Sequence, residues 1–365
     1  MQHAQYPGYS SDRALYASGS ILGNFFQSQC FEAVLRLTGW RTILLRVQKH
    51  GSEASILAFA PQNLRFYHSL MPCYRVLCGP VVHCIEESLD PEILDQLFER
   101  LHSRLKAERA VTLDITAPFP FPHNYEIFCR NGYISETEAK GECSVIIDLQ
   151  SDVDFLWKGV RRFARRNIKR AIEEGVEVKG IKNEMELRDF HRIYRDTCNR
   201  RGFQPSPYRM FEAFWKELEP RGKSKFFLAW WKNIPIAGIL NTFYGEQSVP
   251  YIACSLNRFW NLHPNHLLFW HSIKWSKEVA GSSVFKLYHL PARRERVQGI
   301  DYFTFKTCFG GSLIEECSFY RKTFSPVRFK ISQMLHGQIS KTRRFARLRH
   351  LQPRNQNCSE GHGDV

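Results

Sequence analysis

The pattern of apolar positions in the first part of the chain predicts a mixture of strands and helices. Two β-branched and apolar runs flank the turn residues Lys49 to Ser52 and predict a β-hairpin. A helix packed on a sheet is indicated by apolar residues at Ile93, Leu97 and Leu101, which recur at helical spacing. The predicted elements are strands Thr42–Gln48 and Ala54–Ala60, a helix Leu89–Lys106, a strand Ala110–Ile115, a short helix ending at Gly132 and a strand Cys143–Leu149.

A similar order of elements recurs in the second part of the chain. It comprises helices Met185–Asn199 and Tyr208–Leu218, strands Lys225–Trp231, Ile236–Tyr244 and Val249–Cys254, a helix His266–Ala280 and a strand Ser283–Leu287. Each half therefore has antiparallel strands and one helix that crosses over before a further strand. We expect a duplicated α/β architecture and not an eightfold barrel.

An amphipathic helix is predicted between the two halves, over residues 152 to 174. Ser151 and Asp154 have the spacing of a capping box, which marks a helix start. An apolar stripe from Trp157 to Ile172 forms one side, and the cations Lys158, Arg162, Arg165 and Lys169 share another. The helix is expected to pack with the first side and to present cations with the second.

Composition indicates a folded intracellular protein. The chain has 365 residues, of which 43% are apolar and 24% are charged, as in globular proteins. Its 11 cysteines are odd in number and never form a C-x-x-C pair, so neither a disulfide framework nor a zinc ribbon is encoded. The sequence also lacks a membrane-spanning apolar run and a secretory leader. A cytoplasmic location is therefore expected.

The formal net charge of +15 is concentrated in two segments. Residues 155 to 172 and residues 321 to 350 are rich in lysine and arginine and contain no acid. Focused positive charge attracts phosphates of nucleotides, RNA or lipid head groups. The alternative is a solvated helix face and a basic tail without a specific ligand.

Familiar catalytic motifs are missing from the sequence. It has no P-loop, no G-x-G-x-x-G after a strand and no G-x-S-x-G elbow, which argues against NTPases, nicotinamide enzymes and serine hydrolases. His263, His266 and His271 lack the spacing and the acid of a helix-borne zinc site. Neither a metal nor a resident cofactor is expected.

A denser constellation surrounds Lys306. This lysine lies among aromatic residues and precedes Gly310 and Gly311, which would allow a backbone to approach a ligand closely. A cation in an apolar setting suits a phosphate or a developing oxyanion. Alternatively, the lysine stem covers the aromatic rings while its ammonium reaches solvent.

Two segments resemble the FemABX-like aminoacyltransferases. GVRRFARRNIKRAIEEGVEV, from Gly159 to Val178, is similar to that family's R-x-x-I-x-x-A-x-x-x-G-V helix, and FTFKTCFGG, from Phe303 to Gly311, to its F-K-x-x-F-G-G segment. Weaker similarities occur at Phe26 to Ser28, Gly79 to Val81 and Tyr251 to Ser255. The resemblance spans about residues 20 to 325.

The resemblance implies a tandem pair of acetyltransferase-like (GNAT) lobes that form an amide on a peptidoglycan-precursor amine from aminoacyl-tRNA. It makes Lys306 the candidate that stabilises the oxyanion, and Asp114 a carboxylate that orients the amine, with a cap at the end of a strand as the alternative. Further candidates for binding substrate or phosphate are Arg162, Arg165, Arg166, Lys169, Phe305, Gly310 and Gly311.

The implied organisation is a loose N-terminal lead (1–20), a first lobe (21–150), a basic connecting helix (151–175), a second lobe (176–325) and a basic tail (326–365). The expected partner is a phosphorylated carrier, namely tRNA, CoA or a UDP- or lipid-linked precursor, and not DNA. The tail is expected to contact anionic lipid at the inner face of the membrane.

Departures from the family pattern leave the donor open. Tyr288 to Pro291 and the following arginines replace the Tyr-Asp-Phe-Gly-Gly stretch of many relatives, and no heptad-bearing arm for tRNA is present. One alternative is an acetyl-CoA-dependent acetyltransferase acting on an amino sugar, lipid or protein amine. A second is a non-catalytic module that binds RNA or membrane.

Overall fold

The computed structural model describes residues 24–49, 51–61, 70–83, 91–118, 124–135, 142–291 and 302–334. In the first part of the chain it confirms the predicted hairpin, whose strands pair antiparallel from Trp40↔Pro61 to Lys49↔Ser52. The elements of this part are α1 Gln29–Leu37, β1 Trp40–Lys49, β2 Ser52–Pro61, β3 Cys73–Val76, β4 Val81–His83, α2 Pro91–Ala107, β5 Thr112–Pro118, α3 Asn124–Arg130, β6 Ile134–Ser135 and β7 Glu142–Asp148.

The second part begins with two helices from the basic region and ends with a long strand. Local signals set several boundaries: Asn183 caps the first turn of α6, and Gly202 ends that helix in the left-handed conformation. The elements are α4 Val153–Gly159, α5 Arg162–Glu173, β8 Val176–Gly180, α6 Glu184–Arg201, α7 Tyr208–Ala213, β9 Ser224–Trp231, β10 Ile234–Tyr244, β11 Gln247–Ser255, α8 Pro264–Glu278, β12 Val284–Pro291, α9 Tyr302–Thr307 and β13 Ser312–Thr323.

The described strands form one hydrogen-bonded sheet in the order β1-β2-β3-β5-β13-β7-β12-β11-β10-β9-β8, with β4 paired to β2 and β6 paired to β13 outside this order. Most neighbours are antiparallel, but β3 pairs parallel with β5 and β11 pairs parallel with β12. In each case an α-helix, α2 or α8, lies in the connection between the parallel strands. This repeated unit confirms the expected tandem α/β fold.

The strand β13 was not predicted from the hydrophobic periodicity. It leaves the second part of the chain and inserts between β5 and β7, with Phe319 opposite Thr116 and Ile314 opposite Ser144. The chain therefore returns to the first-lobe sheet before it ends. The two lobes are also joined at β7, a first-lobe strand that pairs with β12 of the second lobe.

Three apolar cores hold the sheet and helices together. One lies beneath α2 in the first lobe and includes Tyr320 of β13. Another joins β7, α5, α8 and Phe309. The third packs Phe25, Phe26 and Phe31 from the N-terminal segment against α6 and α7. Residues from both ends of the described chain thus stabilise the opposite lobe.

Several segments with predicted features lie outside the described residues. These include the N-terminal lead, the arginines after Pro291 and the tail beyond residue 334. The described part of the tail is a helix over 326–334. Within the described residues, no helix combines the length and apolarity needed to cross a bilayer.

A half-buried histidine in the first lobe makes stability depend on pH. Burial lowers the pKa of His102 to about 4, with Lys322 and Lys106 as smaller causes, and its Nε2 lies 2.8 Å from the hydroxyl of Tyr133. The unfolded chain, in which the pKa is about 6.5, takes up a proton that the folded chain resists. The neutral histidine therefore causes no loss of stability above about pH 6.5, and the free energy of unfolding decreases as the pH falls from there towards 4.

We expect His102→Gln, which keeps a polar partner for Tyr133, to reduce the loss of unfolding free energy between pH 7 and pH 5. Urea unfolding of both proteins at the two pH values measures this loss. An equal loss in the variant would show that His102 does not carry the effect.

Candidate active site

The predicted basic helix is broken in the structure, which corrects the prediction of one helix over 152–174. α4 ends at Gly159, and Val160 and Arg161 are extended before α5 begins. The N-cap is Asp152, whose carboxylate accepts a 2.6 Å bond from the Phe155 N–H, and not the predicted Ser151. The break has a tertiary cause, because the Arg161 N–H donates to the Cys308 carbonyl at 2.8 Å.

The two glycines of the FTFKTCFGG segment fix it against this break. A Cβ on Gly310 would lie 3.1 Å from the Gly159 oxygen, and one on Gly311 would lie 2.3 Å from the Ile146 oxygen. Both glycines have positive φ, +88° and +86°. The sequence predicted that this glycine pair allows a close approach to a ligand. In the structure the glycines instead allow close contact with the backbone of Gly159 and Ile146. The two motif segments meet each other.

Lys306 lies in the last turn of α9, where the helix dipole favours a cation. Its ammonium donates to the main-chain carbonyl of Tyr288. The side chain is half-buried, and Phe305 beside it packs edge-on against His266 and Phe269. The ammonium is thus fixed next to β12 by this hydrogen bond and does not extend freely into solvent.

The Tyr288 carbonyl lies where two parallel strands separate. β11 and β12 pair only through Gln247↔Val284 and Ser248↔Phe285, although both strands continue for several residues. The pairing of β12 with β7 is also irregular between Leu287 and Leu290. We call the gap between residues 249–255 and 286–291 the wedge. Lys306 therefore places a positive charge at the wedge.

The weaker sequence similarities converge beside the same point. The Phe26 ring lies 5.8 Å from the rings of both Tyr251 and Tyr288. Next to it, buried Gln27 donates to the Leu77 carbonyl at 2.8 Å, and a Cβ on Gly79 would lie 2.7 Å from the Gln27 side chain. The first lobe thereby closes one side of the wedge.

The cations of α5 divide into structural and exposed groups. Arg165 donates to the carbonyls of Trp157 and Lys158 at 3.3 and 2.8 Å, so it secures the end of α4. Arg162, Arg166 and Lys169 are exposed, and their side chains show no hydrogen bond or ion pair to the described residues. These three form the cationic face of α5.

α5 itself runs beside the N-terminus of α8. The side-chain nitrogen of Asn167 lies 3.4 Å from Nε2 of His266, and α8 starts at Pro264, shortly after β11 ends at the wedge. Burial lowers the pKa of His266 to about 4, with His263 as the smaller cause, so this imidazole is neutral near pH 7. The positive end of the α8 helix dipole therefore lies beside α5.

Asp114 lies apart from Lys306. Its carboxylate accepts two bonds from Arg321, at 2.7 and 3.0 Å, across the β5–β13 pair. Val145 of β7 pairs with Leu287 on one side and with Leu313 of β13 on the other, so Leu313 lies opposite the strand position next to Tyr288. Arg321 is eight residues further along β13, a distance of roughly 25 Å in an extended strand. The structure places the two candidate catalytic residues at different ends of β13, and Asp114 has the geometry of a strand-to-strand ion pair.

The described residues contain no group of three or more His, Cys, Asp or Glu side chains that could hold a metal ion. Burial raises the pKa of Cys308, beside the site, to about 12, and burial also raises the pKa of Cys254 on β11. A thiol in that state is a poor nucleophile near pH 7. The arrangement supports electrostatic stabilisation of a reaction and not covalent catalysis.

Comparison with known proteins identifies a domain family and a shared fold. The acetyltransferase (GNAT) domain family matches residues 158–293. The structure of FemX superposes with a TM-score of 0.66 at 17% identity, covering 88% of this chain and 96% of that one. No curated protein sequence matches the chain.

Two further solved structures share the fold. A tandem GNAT protein from the clavulanic acid biosynthesis pathway gives a TM-score of 0.53 at 11% identity, covering 79% of this chain and 84% of that one. The C-terminal DUF2156 domain of a protein assigned as lysylphosphatidylglycerol synthetase, from Agrobacterium fabrum, gives 0.53 at 11% identity, covering 84% and 91%.

The fold and the matched domain define the class of protein: residues 158–293 form a GNAT-type acyltransferase domain, and the described chain has the two-lobed fold of the tandem GNAT structure. Within this class its fold is FemABX-like, which confirms the resemblance drawn from the two motif segments.

Sequence reasoning missed the part that Tyr288 plays at the site. Tyr288 supplies the carbonyl that holds Lys306, and Lys286 lies 4.6 Å above its ring. Neither relation has a sequence signal, because a main-chain acceptor can be any residue. The departure at Tyr288 to Pro291 did mark this strand as unusual, and the structure shows an irregular pairing there.

Gly311→Ala tests the contact between the motif segments. The added methyl group combines backbone strain with an overlap on the Ile146 carbonyl, so we expect a loss of about 3 kcal/mol of stability. Gly281→Ala is the matched control: its φ is +65° and nothing lies within 4 Å, so strain alone should cost about 1 kcal/mol. Equal losses in urea unfolding would contradict the tight contact.

Proposed function

We propose that the chain is an N-acyltransferase that forms an amide on a cell-envelope amine of the peptidoglycan-precursor type, with aminoacyl-tRNA as acyl donor. The observation that carries the proposal is the ammonium of Lys306, held by the Tyr288 carbonyl at the wedge. The FemX-like fold over 88% of the chain supports the choice of reaction.

The reaction requires charge stabilisation more than a nucleophilic side chain. The acceptor amine attacks the acyl carbonyl, the new N–C bond forms, and the C–O bond to the tRNA ribose breaks. The amine loses a proton and the ribose oxygen gains one. Negative charge develops on the carbonyl oxygen in between, and the positive charge of Lys306 stabilises it. Two ligands held in one site also avoid the entropy cost of a bimolecular encounter.

The cationic face of α5 gives the donor its binding surface in this proposal. Arg162, Arg166 and Lys169 are exposed on a helix that runs beside the N-terminus of α8. Consecutive phosphates of an RNA strand suit such a row of cations better than a single small anion does. Aminoacyl-tRNA is a soluble substrate of the cytoplasm, and we place the reaction there without a metal or resident cofactor.

A second candidate donor is acetyl-CoA. The matched domain family is described as an acetyltransferase, and separated parallel strands leave main-chain groups of the wedge available to an amide-rich ligand. Purified protein given labelled aminoacyl-tRNA and labelled acetyl-CoA side by side, each with UDP-linked muramyl pentapeptide, distinguishes the donors. Transfer from neither donor would contradict the proposed function.

Lys306→Met tests the electrostatic role. We expect transfer to fall by about 10²-fold or more, because a preorganised stabiliser of the oxyanion is lost, while the melting temperature changes little. Lys277→Met is the matched control, since Lys277 also donates to a main-chain carbonyl, that of Leu149, at 2.7 Å. The control should retain transfer. Equal activity in both variants would assign Lys306 a structural role and contradict its part in catalysis.

Arg166→Glu tests the donor surface. We expect weaker binding of aminoacyl-tRNA. The slope of the logarithm of the binding constant against the logarithm of the salt concentration should decrease in magnitude by about one, because one phosphate contact is lost. Arg195→Glu, an exposed cation on α6, is the control and should bind as the wild type does. Filter binding at several salt concentrations measures both. Unchanged affinity in Arg166→Glu would remove α5 from the donor site.

A further inference from the structure

The helix over 326–334 carries its apolar residues on the outside. Phe329 packs inward, with its ring 5.4 Å from the Arg321 guanidinium, and Ser332 is buried. On the opposite side Val327, Ile331 and Met334 are 70%, 40% and 67% exposed. Their spacing of four and three residues places them on one face. We call these three residues the outward stripe.

An open pocket of about 480 Å³ adjoins the start of this helix. It is lined by Arg41, Arg109 and Arg328, together with Glu108 and exposed Leu70. We call it the arginine pocket. Arg328 links the pocket to the helix, because its guanidinium donates to the carbonyls of Arg109, at 2.8 Å, and of Leu70.

The pocket retains a positive balance. Its lining carboxylate, Glu108, is already engaged, since it accepts from the Tyr74 hydroxyl and from Nε of Arg104 at 3.1 Å. The Arg109 side chain is exposed. In the sequence, residues 321 to 350 contain no acid. Arginine geometry matches the oxygens of a phosphate group.

We propose that this face of the first lobe, formed by the outward stripe and the arginine pocket, docks on an anionic phospholipid surface. The pocket takes the phosphate of a lipid head group, and the stripe enters the boundary between head groups and acyl chains. Apolar residues flanked by Arg328 and Lys330 are the pattern of an interfacial helix. Charge complementarity selects an anionic lipid surface over a neutral one.

The proposal is independent of catalysis. The stripe and the pocket belong to the face beside α2 and β5, whereas Lys306 and the wedge lie in the second lobe. Vesicle binding can therefore be measured without acyl donor or acceptor, and its failure would leave the proposed transfer reaction unaffected.

Sedimentation of the full chain with vesicles tests the proposal. We expect binding to vesicles of phosphatidylcholine mixed with phosphatidylglycerol, and weak binding to phosphatidylcholine alone. Arg109→Glu should lower the affinity roughly tenfold or more, because a charge near the surface is reversed. The triple variant Val327→Ser, Ile331→Ser and Met334→Ser should lower it by a similar factor, with a deficit that persists at high salt.

Matched controls come from the second lobe. Met185 is 71% exposed and Arg209 is exposed on α7, so Met185→Ser and Arg209→Glu change apolar surface and charge elsewhere and should bind as the wild type does. Circular dichroism confirms that each variant is folded. Binding that survives both patch variants but disappears when the tail cations from Lys341 to Arg349 become glutamine would assign the contact to the tail and overturn the proposal. Equal binding to both kinds of vesicle would also overturn it.

Discussion

The contact between the break in the basic region and the FTFKTCFGG segment is the constraint on which the site depends. The Arg161 N–H bonds to the Cys308 carbonyl, and Gly310 lies directly against Gly159. An unbroken helix would have satisfied the Arg161 N–H internally and left Cys308 without this donor. The bond therefore sets the direction of α5, and through Phe309 it holds the chain segment that carries Lys306.

The geometry of the sheet explains why the lysine occupies its position. Where β11 and β12 separate, their carbonyls no longer accept hydrogen bonds from the neighbouring strand. The pairing of β12 with β7 is also irregular around Tyr288. A buried carbonyl without a donor is costly. Lys306 supplies the donor, so one interaction both completes the backbone and brings positive charge to the wedge.

The two lobes exchange their ends. Phe25 and Phe26 from the N-terminal segment are buried against the second lobe, and β13 from the C-terminal part completes the first-lobe sheet. The Asp114–Arg321 ion pair fastens that strand to β5. This exchange leaves the helix over 326–334 on the first lobe, where its outward stripe and the arginine pocket come together.

The sequence by itself determined the repeated order of strands and helices. Apolar residues recur every two positions in a strand and every three to four positions in a helix, and this spacing depends only on residues close together in the chain. It also identified the motif segments and Lys306 through their resemblance to a known family. It did not reveal the break at Val160 and Arg161, since residues 152 to 174 have a continuous helical pattern and the bond that interrupts it comes from Cys308. The same holds for Asp114, whose partner Arg321 lies more than two hundred residues away along the chain. Tertiary structure decided these features, because hydrogen bonds between distant segments depend on which backbone groups the fold brings together and leave no periodic signal in the sequence.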